Sequence, residues 1–356
     1  MKMTDAYNSK AIAVVHQEAA SNKIAYLGEG LFPAKKKAGL DLKWVKTSKG
    51  LPVSLSPSAF DTVSTIRSRA GIEISETEMA YFKESMLVKE QDEQDIMRVQ
   101  DSADPFAQDV INRLYDDANT LVDAADVVPE RMRMQLLSSC TSSAGPSISI
   151  AANGATYAYN YDPNGSYVAN NFMELTSTDK WSDTTNSDPM NDVMTALDAA
   201  EAESGSRPEI MIISKQTMNY LKQNAKVRQY ILAQNTTANV IVTDARVKEI
   251  FVTELGVTIV VYSKKYKTEA GVTTNFFPDG YATLVPNGAL GSTWYGITPE
   301  ERTGIANPAA DVSVVNTGVA VSVTISEDPV QTKTTVSEIV LPSFERMNET
   351  YQIKAY

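Results

Sequence analysis

The chain has 356 residues, 43% of them apolar, enough to bury a sizeable core and to form two domains or one domain with long excursions. One cysteine and one histidine exclude an internal disulfide and a Cys/His zinc site, and confine any charge relay to His16. Lys plus Arg number 32 against 44 Asp plus Glu, and the resulting charge of −12 argues against a general nucleic-acid binder, whose phosphate contacts need net positive surface.

That charge is unevenly distributed. Residues 1–50 hold nine lysines and four acids, so this stretch is +5 and the remainder −17, a basic arm on an acidic body. No apolar run approaches the roughly 18 residues of a membrane span. The apolar part of the N-terminal stretch is broken at His16, Gln17 and Glu18, too early for a secretory core. The expectation is a cytoplasmic chain with no membrane partner, in which Cys140 stays reduced.

In chain order, Ile12, Val15 and Ala19 recur at helical spacing and predict a helix over 10–20, after which Gly28, Gly30 and Pro33 break the pattern. Leu40, Leu42 and Trp44 alternate as in a strand, and Val53 with Leu55 reads as another before Pro57. Residues 57–90 are dense in charge and poor in apolar anchors, the pattern of a mobile loop or of a limb that packs on another subunit. The strongest helical pattern covers 105–139, with Ser102 and Asp104 as caps and Pro105 suited to the first position. Its apolar stripe runs through Phe106, Val110, Leu114, Ala118, Leu121 and Ala125, and Asp109, Asp116, Asp117, Asp123 and Asp126 line the opposite face. Pro129 should kink or end the first segment, and the whole element would reach about 50 Å at 1.5 Å per residue, longer than a compact domain needs.

Beyond Cys140, two strands at 147–150 and 156–161 are joined at Asn153-Gly154, a dipeptide suited to a tight hairpin. Residues 162–189 read as loop. Helices are predicted over 189–203 and 215–233, with strands at 209–213, 240–243 and 257–262 and alternating segments at 312–325 and 334–341. This mixture without a regular βαβ repeat favours the α+β class.

Catalytic patterns are sparse. The Gly28-x-Gly30 pair is followed by Pro33 where a dinucleotide fingerprint needs its third glycine. Asp116-Asp117 and Glu300-Glu301 are adjacent and point to different faces of a helix, which is wrong for paired-carboxylate chemistry. His16 reads as a packed or exposed histidine and Cys140 as a small buried hydrophobe. The expectation is no enzyme, no cofactor and no metal site. A carboxylate-dependent hydrolase and a scaffold or adhesion protein with β-rich arms stand as competing classes. The parts that remain suit contact with neighbouring subunits. Candidate contact residues are Lys35, Lys36 and Lys37 of the arm, Arg67, Arg69, Glu76, Glu78 and Lys83 of the limb, and Asp116 and Asp117 of the long helix.

The segments GLFPAKKKAGLDLKWV (30–45), VSLSPSAFDTVSTIRSRAG (53–71), ADPFAQDV (103–110), DKWSDTTNSDPMNDV (179–193), LGVTIVVYSKKY (255–266) and NFFPDGYATLVPNGALGSTWYG (275–296), in that order and spacing, resemble the lambda-type major capsid protein, family E, of tailed bacteriophages. The resemblance implies the Hong Kong 97-type capsid fold. It assigns residues 1–46 to an N-terminal arm, 47–104 to an extended E-loop and its return strand, and 105–188 to a spine helix and the hairpin of a peripheral domain. Residues 189–320 would form an axial domain, and 321–356 the peripheral return strand with a C-terminal axial segment. It also implies hexamers and pentamers of this chain in an icosahedral shell around double-stranded DNA, with a scaffolding protein, a portal and a decoration protein as partners. The same fold serves encapsulin-type protein compartments, the nearest alternative reading.

Overall fold

The computed structural model describes residues 8–20, 25–46, 74–88, 106–152, 155–231, 242–307, 310–327 and 330–356. The chain opens with helices α1 (Ser9–Ala20) and α2 (Leu27–Leu31) and strands β1 (Ala34–Lys36), β2 (Asp41–Val45), β3 (Ile74–Glu78) and β4 (Ala80–Val88). Gly28 and Gly30 therefore lie within a single helical turn, where the Gly28 N–H donates to Glu130 Oε1 at 3.1 Å. The expected strand at Val53 and Leu55 lies outside the described residues. The coreless reading of 57–90 fails at its end, because β4 is a nine-residue strand hydrogen-bonded into a sheet.

Helix α3 (Phe106–Ser138) runs through Pro129 without ending. An internal proline costs about 3 kcal/mol or more. Burial on both sides outweighs it, with Leu121, Val122 and Ala125 before the proline and Met132, Leu136 and Leu137 after it all buried. Next come the hairpin β5 (Ser147–Ala152) and β6 (Ala155–Asn160), then α4 (Ser166–Asn171) and β7 (Phe172–Glu174), where the sequence suggested only loop. Here Asp162 supplies the cap from outside the helix, its carboxylate accepting from the Tyr167 and Val168 N–H groups and the Ser166 hydroxyl.

Helix α5 (Pro189–Ser204) has the expected signals. Asp188 accepts from the Asn191 N–H, Pro189 holds the first position, and Gly205 closes the helix at φ 70°. After β8 (Ile210–Ile213), the single helix expected over 215–233 is two, α6 (Lys215–Gln223) and α7 (Ala225–Ile231). Buried Asn224 divides them. Its Oδ1 accepts from the Val227 N–H to cap α7, while its Nδ2 donates to Ser187 Oγ. The rest comprises α8 (Asp244–Leu255), β9 (Thr258–Val261), β10 (Lys265–Lys267), β11 (Thr273–Asn275), β12 (Tyr281–Val285), β13 (Ser292–Tyr295), α9 (Pro299–Ala306), β14 (Val312–Val315), β15 (Val319–Glu327), β16 (Val330–Ser343) and β17 (Tyr351–Lys354). Of the strand expected at 240–243, residues 240 and 241 lie outside the described set, and Thr243 is instead the residue before α8.

Two compact units interleave along the chain. The first takes the described residues of Met1–Leu42, Glu76–Met132 and Ser292–Ser343, and the second those of Lys43–Ser75, Arg133–Gly291 and Phe344–Tyr356, so the division falls within α3. In the first unit a six-stranded sheet is organised by β16. Val340 pairs with both Ala80 of β4 and Tyr295 of β13, and Ser337 with both Lys83 of β4 and Ala320 of β15. A strand residue has two edges, so β4 occupies one edge of β16 while β15 and β13 follow each other along the other. Gly318 makes that junction possible, since a Cβ there would stand 2.5 Å from Tyr295 Cβ. The core under this sheet joins Ile12 of α1, Ala118, Leu121 and Val122 of α3, and Val321 and Val336 of the strands.

In the second unit a five-stranded sheet has the order β7-β17-β12-β8-β9. Strands β8 and β9 are parallel, joined through α6, α7 and α8, whereas β12 is antiparallel to both β8 and β17. A sheet that mixes the parallel pairs β8–β9 and β7–β17 with antiparallel ones is the α+β character expected. The sheet also finishes the long helix. A helix end leaves carbonyls without intrahelical donors. Gln352 Nε2 donates to the Leu136 carbonyl at 2.8 Å, Thr283 Oγ1 to that of Leu137, and Tyr281 Oη to that of Cys140 at 2.9 Å. The Cys140 N–H donates back to Gln352 Oε1 at 3.3 Å. Burial, with Asp162 nearby, pushes the Cys140 thiol far above its ordinary range.

Gln352→Leu leaves the Leu136 carbonyl and the Cys140 N–H unpaired inside the protein, and is expected to destabilise the second unit by about 2–6 kcal/mol at about 1–3 kcal/mol per lost partner. Denaturant unfolding checks this against Val272→Ala, an exposed control expected to stay within about 0.5 kcal/mol of the parent.

Candidate assembly surface

The contact residues anticipated from sequence divide into those the chain uses internally and those it displays. Strand β1 is the three-residue segment Ala34-Lys35-Lys36, exposed throughout and paired in parallel with β13. Lys35 places its Nζ 5.3 Å from the centre of the Trp294 ring, a cation–π contact. Lys36 Nζ donates to Glu301 Oε1 at 2.6 Å, and Lys37 Nζ to the Asp41 carbonyl at 2.8 Å. All three arm lysines are thus tethered within their own chain.

Helix α9 explains the Lys36 tether and adds a second one on β4. The Thr298 hydroxyl caps it by accepting from the Glu301 N–H, Pro299 stands at its first position, and Glu300 and Glu301 occupy its first turn. Acids are favoured there by the helix dipole, and neighbours on a helix face apart. Glu301 meets Lys36, while Glu300 accepts from Lys83 Nζ, from Ser337 Oγ at 2.7 Å and from Tyr81 Oη at 3.2 Å. Burial pushes the Glu300 carboxyl up, but the hydrogen bonds from Lys83 and Ser337 outweigh it and hold the group below the usual carboxylate range. The same pairing raises Lys83, and burial beside Glu300 raises Tyr81. One helical turn therefore fastens the arm strand through one acid and β4 through the other. This divergence is why the pair forms no hydrolytic dyad.

The remaining candidates sit elsewhere. Glu76 and Glu78 are exposed on β3. Asp116 and Asp117 are exposed on α3, where the Asp116 carbonyl accepts from Thr120 Oγ1 at 2.8 Å. Arg67 and Arg69 lie outside the described residues.

Sequence reading missed an apolar set. From Lys83 to Leu87 every residue of β4 is exposed, although its edge is bonded to β16. Successive strand residues face opposite ways, so neither face is covered here. Met86 is 38% and Leu87 50% exposed, and Ile325 of β15, on the other edge of β16, is 55% exposed. The only trace in the sequence was a pair of apolar residues inside a charged segment. Among the described residues, no helix is long and apolar enough to cross a membrane.

The family described as phage major capsid protein E matches residues 13–355. No curated protein matches the sequence. Among solved structures, the chain is similar to the putative capsid protein of a prophage of E. coli CFT073, at 17% identity over 98% of this chain and 99% of the other, with a TM-score of 0.59. It is also similar to a phage-related protein from Bordetella bronchiseptica RB50, at 16% identity over 96% of both chains and a TM-score of 0.56. A chain of the cyanophage A-1(L) capsid aligns at 13% identity over 92% of this chain and 91% of the other, with a TM-score of 0.51. Members of this family are structural proteins and not enzymes. With a match over nearly its whole length and the Hong Kong 97-type α+β fold, the chain belongs to the phage major capsid protein E family.

Proposed function

We propose that this chain is the repeating unit of an icosahedral shell, built from its hexamers and pentamers, that encloses the double-stranded DNA of a tailed bacteriophage. In this reading residues 1–46 are the arm, 47–104 the extended loop with its return, 105–188 the spine helix and peripheral hairpin, 189–320 the axial domain, and 321–356 the returning strands and C-terminal segment. A scaffolding protein, a portal and a decoration protein are the partners during and after assembly in the host cytoplasm. DNA is held by enclosure, and a net charge of −12 gives the wall no general grip on phosphates.

The observation that carries this reading furthest is the stretch of β4 from Lys83 to Leu87, hydrogen-bonded along one edge and bare on both faces. An exposed strand carrying two uncovered apolar side chains, Met86 and Leu87, favours a cover, and in a capsid family the cover is a second copy of the same chain. Repeated over a closed shell, contacts that are weak one by one accumulate. The intrachain clasps at α9 complement this: they fix where the arm strand and β4 leave the sheet, so that each copy offers its neighbour the same surface.

Met86→Glu with Leu87→Lys should leave the folded chain within about 0.5 kcal/mol of the parent, because both side chains are exposed. Particle yield, counted by electron microscopy after expression with the cognate scaffold, should fall about tenfold or more. Normal yield would remove this strand from the interface. The lysines should separate by role. Lys36→Met leaves Glu301 without its cation and should lower the melting temperature of the unassembled chain, whereas Lys35→Gln with Lys37→Gln should make assembly less salt-sensitive while barely changing melting. Since Glu300 is held below the ordinary carboxylate range, its stabilising contribution is present above that range and lost as pH falls through its folded value. Acid unfolding of the Lys83→Met chain should accordingly show a smaller drop in stability between neutral pH and about pH 3 than the parent.

A further inference from the structure

The chain's single histidine is buried without a hydrogen bond to any described residue. His16 of α1 is 1% exposed, and neither ring nitrogen has a hydrogen-bond partner among the described residues. Its Nδ1 lies 3.7 Å from Asp123 Oδ1 and its Nε2 3.6 Å from Asp126 Oδ2, both too far for a hydrogen bond. Asp123 and Asp126 are three apart on α3 and so share a face. The Asp126 carboxylate is also oriented from outside. Asn316, held at φ 53° in the turn between β14 and β15, donates Nδ2–H to Asp126 Oδ1 at 3.0 Å and leaves Oδ2 toward the imidazole.

These three side chains are spaced for an ion. One ring nitrogen and one oxygen from each carboxylate lie within 4.8 Å of one another. Donors bound to a common metal at about 2.0–2.2 Å stand roughly 3–4 Å apart, so small side-chain adjustments close the set. The imidazole shuts the inner side, while the side chains of Asp123 and Asp126 are 45% and 28% exposed and leave an approach from solvent. A nitrogen donor beside two carboxylates favours zinc-class first-row ions over magnesium or calcium, which prefer oxygen throughout.

The geometry points to a divalent transition-metal site formed by His16, Asp123 and Asp126, with water completing the coordination. The bound ion would pin the C-terminal half of α1 to α3. The other end of α1 already has an anchor, since the Ser9 N–H and hydroxyl donate to Asp311 and Ser9 Oγ lies 2.8 Å from Ser313 Oγ. The site does not depend on the shell reading, because its three ligands come from one chain.

Titration of the untagged full-length chain with Zn²⁺ in excess Mg²⁺, followed calorimetrically, should give one ion per chain and a raised melting temperature. Asp123→Asn and Asp126→Asn should each weaken binding tenfold or more while keeping the parent's circular dichroism. Co²⁺ should develop visible d–d bands that His16→Gln abolishes. If His16→Gln does not fold, the two aspartate variants decide. Binding that Mg²⁺ displaces, or that survives Asp126→Asn at full affinity and stoichiometry, would mean diffuse association with an acidic surface and would overturn the site.

Discussion

A strand inside a sheet needs hydrogen-bond partners along both edges, and in the first unit that requirement falls on β16. Its residues are bonded on one side by β4 and on the other by β15 and then β13. These segments lie far apart in the chain, so pairing them draws the N-terminal limb and the late strands into one sheet. The position of α9 follows, because it connects β13 to β14 and must lie beside the strands it serves. Its two acids then fall within reach of β1 and β4. What looks like a set of independent surface lysines is thus a consequence of how one strand satisfies its backbone.

The second unit solves a similar problem at the end of a helix. The Leu136 and Leu137 carbonyls in the last turn of α3 are buried and cannot turn to water, so Gln352 of β17 and Thr283 of β12 supply the donors. The final residues of the chain therefore contribute to terminating a helix that began more than two hundred positions earlier. In a family whose members form shells, this matters mechanically, since a helix end held by several side-chain donors resists being drawn out of register.

Much of this was legible wherever a local signal was enough. The described part of the long helix, Phe106–Ser138, the pairing of β5 with β6 and the start of α5 at Pro189 agree with the expectation, because apolar periodicity and local signals act over a few residues. The α+β class and the capsid family were readable too, the latter from ordered segments and not from any one motif. Signals set by distant partners were not. Asn224 looked like an ordinary helix residue until Ser187 took its amide, and α4 looked like loop until Asp162 capped it. Lys36 and Glu301 are 265 positions apart, and neither announces the other. The apolar pair at Met86 and Leu87 was discounted as too sparse to form a core, although on a strand bare on both faces sparse apolar residues need a partner chain more than a core.

Cys140 is buried, and its thiol is held protonated far above neutral pH. Thiolate is the reactive form, so the one native sulfhydryl is silent toward maleimides and alkylating agents while the chain stays folded. A cysteine introduced at an exposed position would then be the only addressable thiol on each copy. Labelling stoichiometry would count subunits directly, and the native thiol would become reactive only where the second unit opens, making it an internal reporter of unfolding.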